Sequence, residues 1–489
     1  MRVQNLLLFA VGLIFIIVSC KKTDTVKEQV SPPPPPNLSS DKAIISFVIK
    51  VNDNSGLLVN DTANMYGNDT IILTVPYGLN LNALKPTITH TGLSISPNSG
   101  IAQNFSTPVN YQVKAVDGSS IIYTVITKVK IKSTVFITNT SGKLLAIDGE
   151  DGSIKWTYTA TGGITTASPA YFNCTVYFGS ADKYMYAIDA SNGALKWRFL
   201  AGGSLQYNTP CINNGILYFG GILDPYGRGA LYALNASTGS LLWSYQQHPY
   251  WLDNPTVSNG KVFITSFGGL HSFDATNGNS IMNYNGSICG INPLVKGNFL
   301  YSGTEGTTIS AFDIQSGLNI WNFSDANNGI HSASTKIGAT MHNGTIFATG
   351  SSKYMYAIDS ATGTLKWRYI LDGGANSGFF SSPYVSNSMV YAGNSDCYIY
   401  AIDENTGNLK WKFKNFNATN LPPGIAVNNC TVKDDIVYVA YADGFLYALN
   451  AFNGSVIWKS DLGAPTYSGP CILKDNGIIL NSGLSGEKQ

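Results

Sequence analysis

A unit of fixed internal spacing recurs eight times along the last three-quarters of the chain, and nothing else in the sequence constrains the fold as strongly. An Asp or Asn stands at Asp148, Asp189, Asn235, Asp274, Asp313, Asp359, Asp403 and Asn450. Four residues on comes a glycine each time: Gly152, Gly193, Gly239, Gly278, Gly317, Gly363, Gly407 and Gly454. Four further on comes Trp156, Trp197, Trp243, Trp321, Trp367, Trp411 or Trp458, with Met282 in the fourth copy alone. The residue two before the Asp or Asn is alanine, except for Ser272 in that same copy. Each type has a physical job at its place. The Asp or Asn ends a strand and offers its side chain to the free amides of a turn. The glycine supplies a positive φ where the chain reverses. The next strand then presents a large ring, which suits packing between neighbouring units better than holding a ligand.

A second marker has the same period. Pro169, Pro210, Pro255, Pro293, Pro383 and Pro470 each open a short apolar strand, and Ala339 and Cys430 fall at the two remaining equivalent positions. Proline is tolerated at the first residue of a strand. With a following strand such as Val176-Tyr177-Phe178-Gly179, each unit holds four strands in about 44 residues, the size of a propeller blade. The first motif copy lacks a proline-marked strand before it, and the strand after Pro470 has no motif copy after it. The expected fold is therefore all-β: an eight-bladed β-propeller of four-stranded blades over residues 131–489, its ring closed by the C-terminal strand. Val135-Phe136-Ile137 and Ile478-Ile479-Leu480 both read as second strands, which leaves open an extra strand in one blade or a seven-bladed ring.

Residues 1–20 read as an export signal. Arg2 precedes an apolar run from Leu6 to Val18, which is short for a membrane span. The run ends Ile17-Val18-Ser19-Cys20, which resembles a bacterial lipobox and makes Cys20 the lipidated residue. Residues 21–40 form a tether with five consecutive prolines, Pro32 to Pro36, an extended and semi-rigid spacer. Membrane attachment is expected through lipid alone, at the outer membrane, facing either the periplasm or the exterior.

Residues 41–130 are rich in β-branched and aromatic runs and are expected to form a small immunoglobulin-like sandwich. Asp117-Gly118 sits between two alternating runs, a strong hairpin signal. Segments such as Ile95 to Gly100 and Asn104-Phe105-Ser106 resemble a module common in Bacteroidota surface lipoproteins, where it serves as a spacer or adhesive unit.

The intact motif from Ala357 to Trp367, and again from Ala401 to Trp411, is similar to the repeat of pyrroloquinoline-quinone dehydrogenases. It also resembles the propeller lipoprotein of the outer-membrane barrel-assembly machinery. The resemblance covers about Ser133 to the C-terminus and is specific for fold rather than activity. It implies for the enzymes a vicinal Cys–Cys disulfide, a calcium and an Asp base. No Cys–Cys pair occurs among the seven cysteines. The five histidines match no metal-ligand spacing, and Asn52-Asp53-Asn54-Ser55-Gly56 reads as a turn rather than a calcium loop. The expectation is a non-enzymatic protein with no cofactor and no metal. Net charge is +1 without a long basic stretch, so nucleic acid is not an expected partner.

Binding is expected on the propeller face formed by the loops leading into the proline-marked strands. They carry Tyr207, Tyr250, Trp251, Phe379, Phe380 and Tyr467. Aromatic loops with few charges suit sugars or an extended peptide. The leading expectation is an interaction scaffold engaging an envelope protein such as a membrane barrel; the alternative is a carbohydrate-binding surface lipoprotein.

Overall fold

The computed structural model describes residues 38–481, apart from short stretches of which the longest are 285–292, 326–337, 371–380 and 415–426. Cys20 and the proline run lie outside the described residues. Among the described residues no helix is long and apolar enough to cross a membrane.

The N-terminal region contains strands β1 (Ile44–Ile49), β2 (Asp61–Thr62), β3 (Asn64–Tyr66), β4 (Thr70–Val75), β5 (Pro86–His90), β6 (Ser94–Ser96), β7 (Val109–Lys114) and β8 (Ser120–Val129). They form two sheets, β2-β1-β5 and β3-β4-β8-β7-β6, over one core in which Phe47 meets Phe105 and Tyr111 edge-on. β4 runs parallel to β8, with Thr70 opposite Thr124. The hairpin expected at Asp117-Gly118 joins β7 to β8, but as a longer loop closed by the Ala115 amide on Ser119 O at 2.8 Å. Gly118 has φ 87°, while the Asp117 carboxylate accepts the Ser119 amide and hydroxyl. One positive φ is enough here, because the extra residue absorbs the rest of the reversal.

From residue 133 onward the chain builds four-stranded antiparallel sheets in a propeller-like arrangement. The second is typical: β12 (Ala170–Phe172), β13 (Thr175–Gly179), β14 (Tyr184–Asp189) and β15 (Leu195–Leu200), paired in sequence order. It is preceded in the chain by β9 (Ser133–Thr138), β10 (Lys143–Asp148) and β11 (Ile154–Thr159) of the first sheet. The middle strands are almost wholly buried and the fourth is largely exposed, with a burial pattern that leaves Leu195 and Leu200 open to solvent. Six further four-stranded sheets follow, spanning 211–248, 256–284, 294–324, 338–370, 384–414 and 427–461. Their first strands touch in chain order, and the strand Cys471–Lys474 touches both the last of these and β12.

That C-terminal strand pairs antiparallel with β9, Cys471 opposite Phe136. β9 is thus the second strand of the first sheet, and Cys471–Lys474 takes the place of its first. The strand Ile479–Asn481 adds outside it, making this sheet five-stranded. This resolves the competing second-strand assignments: the two segments occupy opposite sides of one strand.

The motif residues hold each sheet to the next. Each Asp or Asn is the last residue of a third strand. The Asp189 side chain accepts the Ser191 amide at 2.9 Å, and Asn235 accepts those of Ser237 and Thr238, both at 3.0 Å. The glycine amide closes the turn, as Gly193 does on Asp189 O at 2.9 Å with φ 76°. Each tryptophan lies opposite the motif alanine, as Trp197 does Ala187. Its ring rests under the next sheet's glycine: a Cβ on Gly239 would come within 2.6 Å of the Trp197 ring. The indole then donates to the carbonyl after the next Asp or Asn, Trp197 to Ala236 O at 3.1 Å. The same bond joins Trp156 to Ala190, Trp243 to Ala275, Trp321 to Ser360, Trp367 to Glu404 and Trp411 to Ala451.

Candidate functional site

The loops entering the first strands lie on the side of the sheets opposite the Asp–Gly turns, since successive antiparallel strands alternate direction. Their bases are bound to one another by a belt that runs from sheet to sheet. At four places the residue before a first-strand proline offers its amide to the side chain at the same place in the next sheet. Gly469 N donates to Ser168 Oγ at 2.8 Å, Ser168 N to Thr209 Oγ1 at 3.0 Å, and Thr209 N to Asn254 Oδ1 at 2.7 Å. Between two later sheets, Ser382 N donates to Asn429 Oδ1 at 2.7 Å. Ser168, Thr209 and Asn254 are buried, so these bonds answer groups that water does not reach. Sequence reasoning stopped at the prolines and missed these residues. The recurring Ser, Thr or Asn immediately before proline was the available signal.

Above the belt, two described loops dock on the next sheet. Thr161 Oγ1 and Tyr186 OH both donate to Asp182 Oδ2 at 2.7 Å, and the Gly162 amide adds a third bond at 3.2 Å. Burial pushes the Asp182 carboxyl up, but these hydrogen bonds outweigh it and hold the group below the usual carboxylate range. Thr466 Oγ1 and Ser468 Oγ both donate to Thr138 O, at 2.6 and 3.0 Å, fixing the loop that carries Tyr467. Tyr467 itself is half-buried, while Tyr207 is 40% exposed. The 160–169 loop lies between theirs in sheet order. Tyr250, Trp251, Phe379 and Phe380 lie outside the described residues. The described part of the face is thus a rigid surface of hydroxyls and amides carrying an exposed phenol, suited to hydrogen bonding and stacking.

Other sequence candidates are used by the structure itself. Asn54 is buried, donating to Lys50 O and Lys85 O and accepting the Lys85 amide at 2.7 Å, so it closes a turn. His342 Nδ1 meets Glu404 Oε1 of the next sheet at 2.5 Å. Among the described residues no group of His, Cys, Asp and Glu could hold a metal ion. Among the described cysteines, Cys211, Cys430 and Cys471 are buried; burial pushes the Cys430 thiol up to about 12. Cys174 instead occupies an exposed turn after β12, at φ 57°.

Repeat, sheet order and inter-sheet tryptophans define the class as a PQQ-like β-propeller. The chain belongs to the family whose model is described as outer membrane protein assembly factor BamB, which matches residues 123–323, 228–353 and 305–472, together more than half of the chain. Residues 44–127 match a second model, described as SGBP, N-terminal. No curated protein matches the sequence. Among solved structures the chain is similar to dihydro-heme d1 dehydrogenase NirN, with TM-score 0.54 and 12% identity over 69% of this chain and 74% of that one. AztD from Citrobacter koseri gives 0.52 and 9% over 72% and 100%, and the computationally designed Ika8 protein 0.52 and 15% over 66% and 98%. At such identities these likenesses establish the fold alone.

Proposed function

We propose that this protein is a lipid-anchored, non-enzymatic glycan-binding protein of the bacterial outer membrane, presenting an eight-bladed closed propeller above an immunoglobulin-like module. The observation that carries this reading is the SGBP-type match at residues 44–127, a module type associated with glycan-binding systems of Bacteroidota. The hydroxyl-rich loop face with Tyr207 exposed supports it, because sugars are recognised by converging polar groups beside an aromatic surface. Contact of the strand Cys471–Lys474 with both neighbouring first strands supports the closed ring. The test is retention of the full chain in native gels containing laminarin, xylan, mannan or galactan. We expect retardation by at least one of them, weakened at least fivefold by Tyr207→Ala with Tyr467→Ala. Free migration through all four would overturn the reading.

The family description favours a second reading, a scaffold for an outer-membrane barrel partner. Stoichiometric recovery of a barrel protein with the lipoprotein from gently solubilised envelopes would support it.

A further inference from the structure

The eight copies of the turn motif allow a comparison inside one chain. The second residue after the motif Asp or Asn is Glu150, Ser191, Ser237, Thr276, Gln315, Ala361 and Asn405 in seven copies, and Phe452 in the eighth. The turn needs only a backbone amide there: Phe452 N donates to Asn450 Oδ1 at 2.9 Å, as Ser191 N does to Asp189. The ring does nothing for the turn and stands 61% exposed. An exposed large apolar side chain at a site where seven copies place a small or polar one is unexplained by folding.

The same sheet departs from the repeat a second time. The hairpins from first to second strand turn on neutral pairs elsewhere, such as Asn214-Gly215, Asn259-Gly260 and Asn343-Gly344. Here the pair is Asp434-Asp435, at φ 45° and 67°. Two adjacent carboxylates in the left-handed region are less favourable than Asn-Gly on both steric and electrostatic grounds.

Both departures line one cleft of about 1150 Å³ between this sheet and the N-terminal module, whose side is formed by Asn52, Asn60 and Thr62 among others. Most of the lining side chains are amides, hydroxyls or carboxylates, with Phe452 among a few apolar ones. Its charges are largely answered internally: Lys433 pairs with Glu150 at 3.0 Å and Asp434 at 3.3 Å, and Lys474 with Asp434 at 3.4 Å. Asp435 accepts from Asn387 at 2.9 Å. A carboxylate has about four acceptor sites, so both aspartates retain acceptors for further hydroxyls.

We propose that this cleft is a glycan-binding site distinct from the loop face, taking a segment of a neutral polysaccharide. The apolar C–H face of a sugar ring packs on Phe452, and its hydroxyls bond Asp434, Asp435 and the facing amides. The near-balanced charge argues against a strongly anionic chain, and the volume slightly exceeds the roughly 300–1,000 Å³ of small-ligand sites, as an oligosaccharide requires. The proposal rests on the glycan reading above and makes the N-terminal module one wall of a site.

The test is backbone hydrogen exchange of the full chain with and without whichever of laminarin, xylan, mannan and galactan retards it. We expect exchange at 450–456 and 60–62 to slow at least tenfold on adding the glycan, and Phe452→Ser to abolish that slowing. The second variant, Asp434→Asn with Asp435→Gly, restores the neutral pair that other hairpins use, so it folds, and should reduce the slowing. If a glycan binds but leaves these segments unchanged, the cleft proposal fails and the glycan reading stands. If none of the four binds, both fail.

Discussion

The junction between the second and third sheets and the one that joins the last sheet to the first are built on the same plan and finished differently. At the first, Ala236 O accepts from both Tyr177 and Trp197, at 2.9 and 3.1 Å. At the second, Gly149 O accepts Tyr438 at 2.7 Å, and the buried Trp458 Nε1 has no hydrogen-bond partner among the described residues. What the seam lacks in that bond it replaces by other means. Lys433, fully buried, reaches across to Glu150 at 3.0 Å. The strand Cys471–Lys474 adds a ladder to β9. Ring contact is common to both junctions; the hydrogen bond is the dispensable part.

Glycine substitution should show the common part and has the largest expected effect. A Cβ at Gly239 or Gly152 meets a tryptophan ring at 2.6 Å and a positive φ as well. Gly239→Ala and Gly152→Ala should each cost about 3 kcal/mol from strain and overpacking together. Gly215→Ala, with positive φ and nothing within 4 Å, should cost only about 1 kcal/mol from the backbone. Denaturant midpoints measure all three, and equal costs would remove ring contact from the account.

The differing part should appear on replacing the indole. Trp197→Phe loses a hydrogen bond as well as ring area, whereas Trp458→Phe loses ring area and relieves an unpaired buried N–H. The first should be the more destabilising by about 1 kcal/mol. Equal losses in urea titrations would mean that the seam indole is hydrogen-bonded in solution.

The smallest effect concerns the turns before the seam, where Asp403 and Asn450 do the same work with and without charge. The Thr406 amide, and after it Lys410, hold the Asp403 carboxyl down at about 2. A depressed folded pKa contributes stability that is fully present above about pH 4, the unfolded value, and is lost as pH falls toward 2. Asp403→Asn should therefore flatten the thermal stability profile slightly between pH 4 and 2. An unchanged profile would show that the exposed turn carries no net electrostatic stabilisation.

These contrasts follow how far each feature is written locally. Asp189, Gly193 and Trp197 are legible because turn chemistry acts within a few residues, and eight copies make the spacing unmistakable. The strand at Cys471 was legible from counting, since one sheet would otherwise want a first strand. The belt through Ser168, Thr209 and Asn254 was not, because its donors and acceptors lie about 40 residues apart. Nor was the parallel pairing of β4 with β8, which depends on strands far apart in the chain. On the loop face, Tyr207 could be placed on a face by topology, but its exposure depends on how adjoining loops dock, as those of Thr161 and Tyr186 on Asp182 illustrate.

The belt has a direction: Ser168 and Thr209 each give an amide forward and receive one from behind on the side chain, while Gly469 only gives. A joint of that kind is indifferent to how many units it links. A duplicated unit arrives with its own plug and its own socket, so copying a stretch of gene inserts a working segment without rewriting its neighbours. Growth by duplication is then most demanding at the first sheet, where Cys471–Lys474 must find β9 from far along the chain.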